Sequence, residues 1–293
     1  MHRILLTLAI ALGLSAADGP NFAYNKKAPF DIRVLSETEH DGVTVKDISF
    51  AGASGGRTGA YLVEPLVQLR GPYPGILYVH WYEPRAKNSN RTQFVDEAVT
   101  MARRGARSLI VETMWSDPQW FDKRDRKNDL ASSVQQIIEL RRALDVLMAQ
   151  SEIDRKHIAY VGHDFGAMYG AVLAGLESGR VAAWALQAGT TSFSDWFLLG
   201  KPELEGETRR KFVEQLAVLD PVKYIGLASP SPVLLQFGKN DPYVPDAKAK
   251  AMMDAAGEPK QMYRYDGGHA LDDKAISQRV EWLTESLRLM RQH

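Results

Sequence analysis

From residue 43 onward the chain alternates between short apolar runs and longer stretches whose apolar residues recur at helical spacing. Gly75-Ile76-Leu77-Tyr78-Val79, Arg107 to Glu112, Ile158 to Val161, Ala182 to Ala188, Val233 to Phe237 and Gln261 to Tyr265 are the short runs. They are too brief for buried helices, and a strand covered on both faces must be apolar almost throughout. Between them, Arg91 to Arg103 sets Phe94, Ala98, Met101 and Ala102 on one helical face, and Gly105 stops that helix. Leu130 to Ala149, Ala167 to Leu176, Asp246 to Ala256 and Lys274 to Arg291 read as further helices. Ahead of these, Val43 to Phe50 and Thr58 to Val63 flank a turn rich in Gly and Ser, the pattern of an antiparallel hairpin. Strand–helix repetition of this kind implies an α/β chain: a mostly parallel sheet, eight strands by this reading, with helices on both faces. The stretch from about 189 to 231 has no strand of its own, carries Trp196 and a charged helix from Glu205 to Leu216, and reads as a small lid insertion.

The remaining composition narrows the function classes. Lys+Arg and Asp+Glu both number 36, and no basic stripe is present, so no nucleic-acid partner is implied. The absence of cysteine excludes disulfides, thiolate metal sites and a Cys nucleophile. No His/carboxylate spacing suggests a metal, and no cofactor is expected. Residues 1–17 run from a basic start, Met1-His2-Arg3, through the uncharged Ile4 to Leu14, to Ser15-Ala16-Ala17. That order reads as a secretory signal peptide, too short to span a bilayer, so a periplasmic or secreted protein without a stable membrane anchor is expected. Residues 18–42 then form a polar N-terminal extension to a domain over 43–293.

The segment Ile158-Ala159-Tyr160-Val161-Gly162-His163-Asp164-Phe165-Gly166-Ala167 takes a buried strand through Gly-x-Asp-x-Gly directly into a helix. The glycines permit a tight turn, which thrusts the central side chain above the sheet edge beside the positive helix N-terminus. This is a nucleophile elbow with Asp164 where Ser is usual. A plain N-cap is the bland role for the same residue. Two further strands end in loops that carry the partners such a residue needs: Gly238-Lys239-Asn240-Asp241-Pro242 supplies an acid, and Asp266-Gly267-Gly268-His269 an imidazole. Asp241 also suits a simple turn. Strand carboxyl ends lie on one side of an open α/β sheet, so Asp164, Asp241 and His269 can converge.

Over residues 43–291 this layout resembles the α/β-hydrolase superfamily. The Gly-Lys-Asn-Asp-Pro loop and the Gly-Gly-His ending resemble its dienelactone hydrolase-like and prolyl-oligopeptidase-like branch. The Gly-His-Asp-Phe-Gly elbow is similar to haloalkane dehalogenases and epoxide hydrolases, whose nucleophile is Asp. The resemblance implies Asp164 as nucleophile, His269 as base and Asp241 as its acid. It also implies an oxyanion hole from the backbone N–H groups of Trp81 and Phe165, with Trp81 standing where relatives carry Gly. Tyr82, Glu83, Arg91, His163, Trp196 and Tyr224 are candidates for binding a small-molecule substrate; loop packing and solvated ion pairs are their plainer roles. A carboxylate nucleophile implies an alkyl electrophile, epoxide or halide, and a covalent ester intermediate. The wider resemblance implies an ester hydrolase instead, and a non-catalytic binding protein on the same scaffold is the reading from another class.

Overall fold

The hairpin and the parallel strands join into one nine-stranded sheet in the computed structural model, which describes residues 19–66, 68–200 and 204–290. The strands are β1 (Arg33–His40), β2 (Val43–Ala51), β3 (Arg57–Val63), β4 (Tyr73–Val79), β5 (Arg107–Val111), β6 (Ile153–His163), β7 (Ala183–Gln187), β8 (Val233–Gly238) and β9 (Lys260–Tyr265). Their order is β1-β2-β3-β5-β4-β6-β7-β8-β9. The first three and the β3–β5 pair are antiparallel, and every pair from β5 to β9 is parallel. The ninth strand corrects the expectation of eight. It is β1, which lies inside the supposed extension and is exposed along nearly all its length. Backbone pairing with β2 holds it, so no apolar alternation marks it in the sequence.

The helices are α1 (Val95–Arg103), α2 (Trp120–Lys123), α3 (Asp129–Met148), α4 (Phe165–Leu176), α5 (Phe193–Phe197), α6 (Gly206–Leu216), α7 (Asp246–Ala255) and α8 (Asp273–Ser286). Along β4, Leu77 and Val79 point into a core shared with α3 and α4, whereas Ile76 and Tyr78 point into a core shared with α1 and α8. Each fully buried side chain of this size contributes roughly 1.5–3 kcal/mol, and two-sided burial explains the continuous apolar runs. Arg91–Phe94 is a separate 3-10 turn ahead of α1, capped by the Asn90 side chain, which accepts from the Thr92 N–H.

Between β7 and β8 the described residues form α5, α6 and three short 3-10 turns, with no strand. Phe212 and Leu216 bury the inner face of α6. The signal-peptide reading of 1–17 lies outside the described residues.

Candidate active site

Four loops at the carboxyl edge of the sheet build one site. After β6, Asp164 adopts φ 56° and ψ −115°, a conformation that costs a non-glycine residue on the order of 1–3 kcal/mol. The neighbouring glycines are needed for contact as well as for the turn. A Cβ on Gly162 would overlap the Gly166 carbonyl, and one on Gly166 would overlap the Val79 carbonyl at the end of β4.

Asp164 occupies the N-cap position of α4, its carbonyl accepting from the Met168 N–H, but its side chain makes no capping hydrogen bond there. Its Oδ2 instead accepts from the Tyr82 N–H at 2.9 Å, while Oδ1 has no hydrogen-bond partner among the described residues. His269, after β9, places Nδ1 at 2.8 Å from Asp241 Oδ2. Asp241, after β8, is itself held through Oδ1, which accepts from the N–H groups of Tyr243 at 2.8 Å and Val244 at 3.2 Å. Since the carboxylate can only accept, Nδ1 donates and Nε2 is left as the basic nitrogen. That Nε2 lies 4.0 Å from Asp164 Oδ1 and makes no hydrogen bond.

Burial pushes the Asp164 carboxyl up to about 7, against the pull of His269 and of the Tyr82 and Phe165 N–H groups. Burial works the other way on His269, lowering its pKa, but the Asp241 hydrogen bond and the Asp164 and Asp241 charges outweigh it and raise the imidazole overall.

A cavity of about 490 Å³ opens on this pair, walled by Tyr82, Phe121, Phe165, Trp196 and Tyr243 with Glu83 beside them. The Trp196 ring on α5 lies 5.4 Å from His269 and 6.0 Å from Phe165, so the inserted segment supplies a wall of the site. Tyr243 stands edge-on to His269 at 5.1 Å.

Tyr82, Glu83 and Trp196 line the cavity. Trp81, Arg91, His163 and Tyr224 do not. The Trp81 N–H, expected in the oxyanion hole, donates to Gln93 Oε1 at 2.8 Å, and the donor facing Asp164 is one residue later, at Tyr82. Arg91 pairs with Asp47 at 2.6 Å and Glu112 at 3.1 Å and lies over the Tyr61 ring, so it ties α1's entrance to the hairpin. Tyr224 donates to the Val218 carbonyl and packs on Gly175 of α4, away from the cavity. His163 is buried behind Trp81, with its ring nitrogens 2.6 Å from Gln93 Nε2 and 2.9 Å from the His269 carbonyl. Sequence reasoning missed Tyr243, Phe121 and Gln93. The place of Tyr243, two residues past Asp241, could have given it away, whereas nothing local marks Gln93.

No protein-family model matches the sequence, and no curated protein does. Solved structures do match. An acetyl xylan esterase from a Paenibacillus species has a TM-score of 0.72 at 16% identity, covering 88% of this chain and 89% of that one. The chain has the α/β-hydrolase fold. A second α/β-hydrolase-fold neighbour, acetyl xylan esterase 1 from a Thermoanaerobacterium species, has a TM-score of 0.68 at 14% identity, covering 88% of each chain. A third, a 2,6-dihydroxy-pseudo-oxynicotine hydrolase, has a TM-score of 0.61 at 17% identity over 86% of this chain and 67% of that one. At such identities the likeness is one of fold, so what the site does rests on its own geometry.

Proposed function

We propose that the protein is a hydrolase in which Asp164 attacks an alkyl electrophile, an epoxide or a halide, and His269 releases the resulting ester. The observation that carries this reading is the asymmetry of the Asp164 carboxyl. Oδ2 is held by a backbone donor, and Oδ1 is unpartnered, facing the basic nitrogen of His269. Attack by Oδ1 forms a carbon–oxygen bond as the carbon–halogen bond breaks and releases halide, or as one epoxide carbon–oxygen bond breaks and leaves its electron pair on the ring oxygen, which takes a proton from water. The Tyr82 N–H, which already holds Oδ2, stabilises charge there when water, deprotonated by His269 Nε2, then adds to the ester carbonyl. Asp241 supports the imidazolium that forms. Collapse expels the alcohol with the Asp164 oxygen and leaves the water oxygen in the carboxyl group.

Ester hydrolysis is the second reading, and it rests on the acetyl xylan esterases among the structural neighbours. An acyl substrate attacked by Asp164 would give a mixed anhydride, much higher in energy than an alkyl ester. Direct attack by water would require the substrate oxygen to displace Asp164 Oδ2 from the Tyr82 N–H. Both considerations favour the alkyl reading.

A single turnover in heavy-oxygen water separates them, with styrene oxide, bromoethane and para-nitrophenyl acetate as probes. The alkyl reading expects solvent oxygen in the Asp164 peptide and none in the first-turnover product. Solvent oxygen appearing directly in product supports the ester reading. We also propose export, on the basic, apolar and small-residue order of residues 1–17, which N-terminal sequencing of the natural product checks.

A further inference from the structure

Two peptide groups meet at Trp81, and both are pinned. The Trp81 carbonyl accepts from His80 Nδ1 at 2.7 Å. That carbonyl shares a plane with the Tyr82 N–H, so fixing it on one side aims the N–H at the opposite side, toward Asp164. His80 is fully buried and its pKa is pushed down to about 4 by that burial, which keeps it a neutral donor. The preceding peptide is pinned through its own N–H, which donates to Gln93 Oε1 at 2.8 Å.

From Gln93 the bonding continues in one direction. Because Oε1 accepts, the amide nitrogen is the group that lies 2.6 Å from His163 Nδ1, and that ring nitrogen must accept. The His163 proton is then on Nε2, which donates to the His269 carbonyl at 2.9 Å. The chain begins at a backbone N–H and ends at a backbone C=O. Both have fixed polarity, so the amide orientation and the tautomer between them are determined. The Trp81 ring stacks on His163 with centroids 4.9 Å apart and a 20° tilt, covering the ring. Burial and the nearby His269 hold His163 well below its ordinary pKa, so it stays neutral as the chain requires. Trp81 thus has a reason to stand where a glycine would leave the imidazole uncovered.

We infer that Gln93 and His163 are positioning residues: a relay from the Trp81 N–H, through the Gln93 amide and neutral His163, to the His269 carbonyl fixes the Tyr82 donor and the imidazole relative to Asp164. The relay joins loops after β4 and β9, which are far apart in sequence, through one side chain before α1 and one at the end of β6. Its value to catalysis rests on the proposed roles of Asp164 and His269; its existence and direction do not.

The test is nitrogen-15 NMR of histidine-labelled protein, without substrate. Wild-type His163 is expected to show a protonated Nε2 and a bare Nδ1 across the range where the protein is folded. Gln93→Glu, at a pH where its carboxyl is ionised, replaces the donor by a group that can only accept, so His163 must then carry a proton on Nδ1. A wild-type Nδ1–H tautomer, or an unchanged His163 in Gln93→Glu, overturns the relay. The positioning role is read on His269, whose titration midpoint depends on its distance from Asp164. Gln93→Met, of similar length and apolar, is expected to move that midpoint by about half a pH unit or more. An unmoved His269 midpoint in a folded Gln93→Met protein overturns the role. Neither arm needs an alkyl probe to react, so failure of the proposed chemistry and failure of the relay are separate results.

Discussion

Asp164 Oδ1 and His269 Nε2 face each other across 4.0 Å, and neither atom makes a hydrogen bond. A serine nucleophile would need that distance closed, because its proton must pass to the imidazole before attack. Once ionised, a carboxylate has no proton to pass to the imidazole during attack, so in the proposed reaction the gap costs the first step nothing and leaves Nε2 free for water in the second.

The proposed division of labour predicts an uneven effect for Asp241→Asn. The asparagine loses the charge that supports the imidazolium and favours the wrong tautomer of His269. Ester release should slow by roughly 10²–10⁴-fold, while alkylation of Asp164 keeps most of its rate. Rapid-quench measurement of the two half-reactions checks it; equal losses in both would contradict the assignment.

The buried carboxyl also makes a statement about pH. Asp164 is raised from 3.8 to about 7, so the folded protein keeps this proton over a range where the unfolded chain has lost it. Stability from this group is therefore full below the unfolded value and falls as pH rises toward the folded one. Asp164→Asn abolishes that fall, and its stability relative to wild type should rise by a few kcal/mol between about pH 4 and pH 8. Denaturant titrations at both ends measure it, and a constant difference would refute it. Alkylation by the wild type should likewise increase with pH, with a midpoint near 7, since only the ionised carboxyl attacks.

Close approach at the elbow predicts a structural penalty. Gly166→Ala sets a methyl group against the Val79 carbonyl, backbone that belongs to a central strand. A loss of about 2 kcal/mol or more is expected in chemical denaturation. A fully stable Gly166→Ala would mean that β6 and β4 are not locked together at this turn.

How much of this the sequence could give depends on what holds each part. Strands β4 to β8 are legible because both their faces are buried, which leaves unbroken apolar runs. Strand β1 escapes because its contribution is backbone pairing at an exposed edge. Asp164, Asp241 and His269 are legible as neighbours because each follows a strand within a few residues. The donor that faces Asp164 is Tyr82 rather than Trp81 because the Trp81 N–H is taken by Gln93, a partner twelve positions away that no local pattern reveals. Arg91 and Tyr224 are near the right loops in sequence, but their side chains turn toward Asp47 and Val218.

The covalent ester on Asp164 is the claim on which the rest depends, and the His269→Gln variant isolates it. Carboxylate attack needs no base, whereas release needs the imidazole, so this variant should stop at the ester. Incubated with styrene oxide and bromoethane and then weighed intact, it should carry one adduct per chain, mapping to the peptide that contains Gly162 to Gly166. An adduct on any other residue, or turnover by Asp164→Ala at the wild-type rate, would contradict the account.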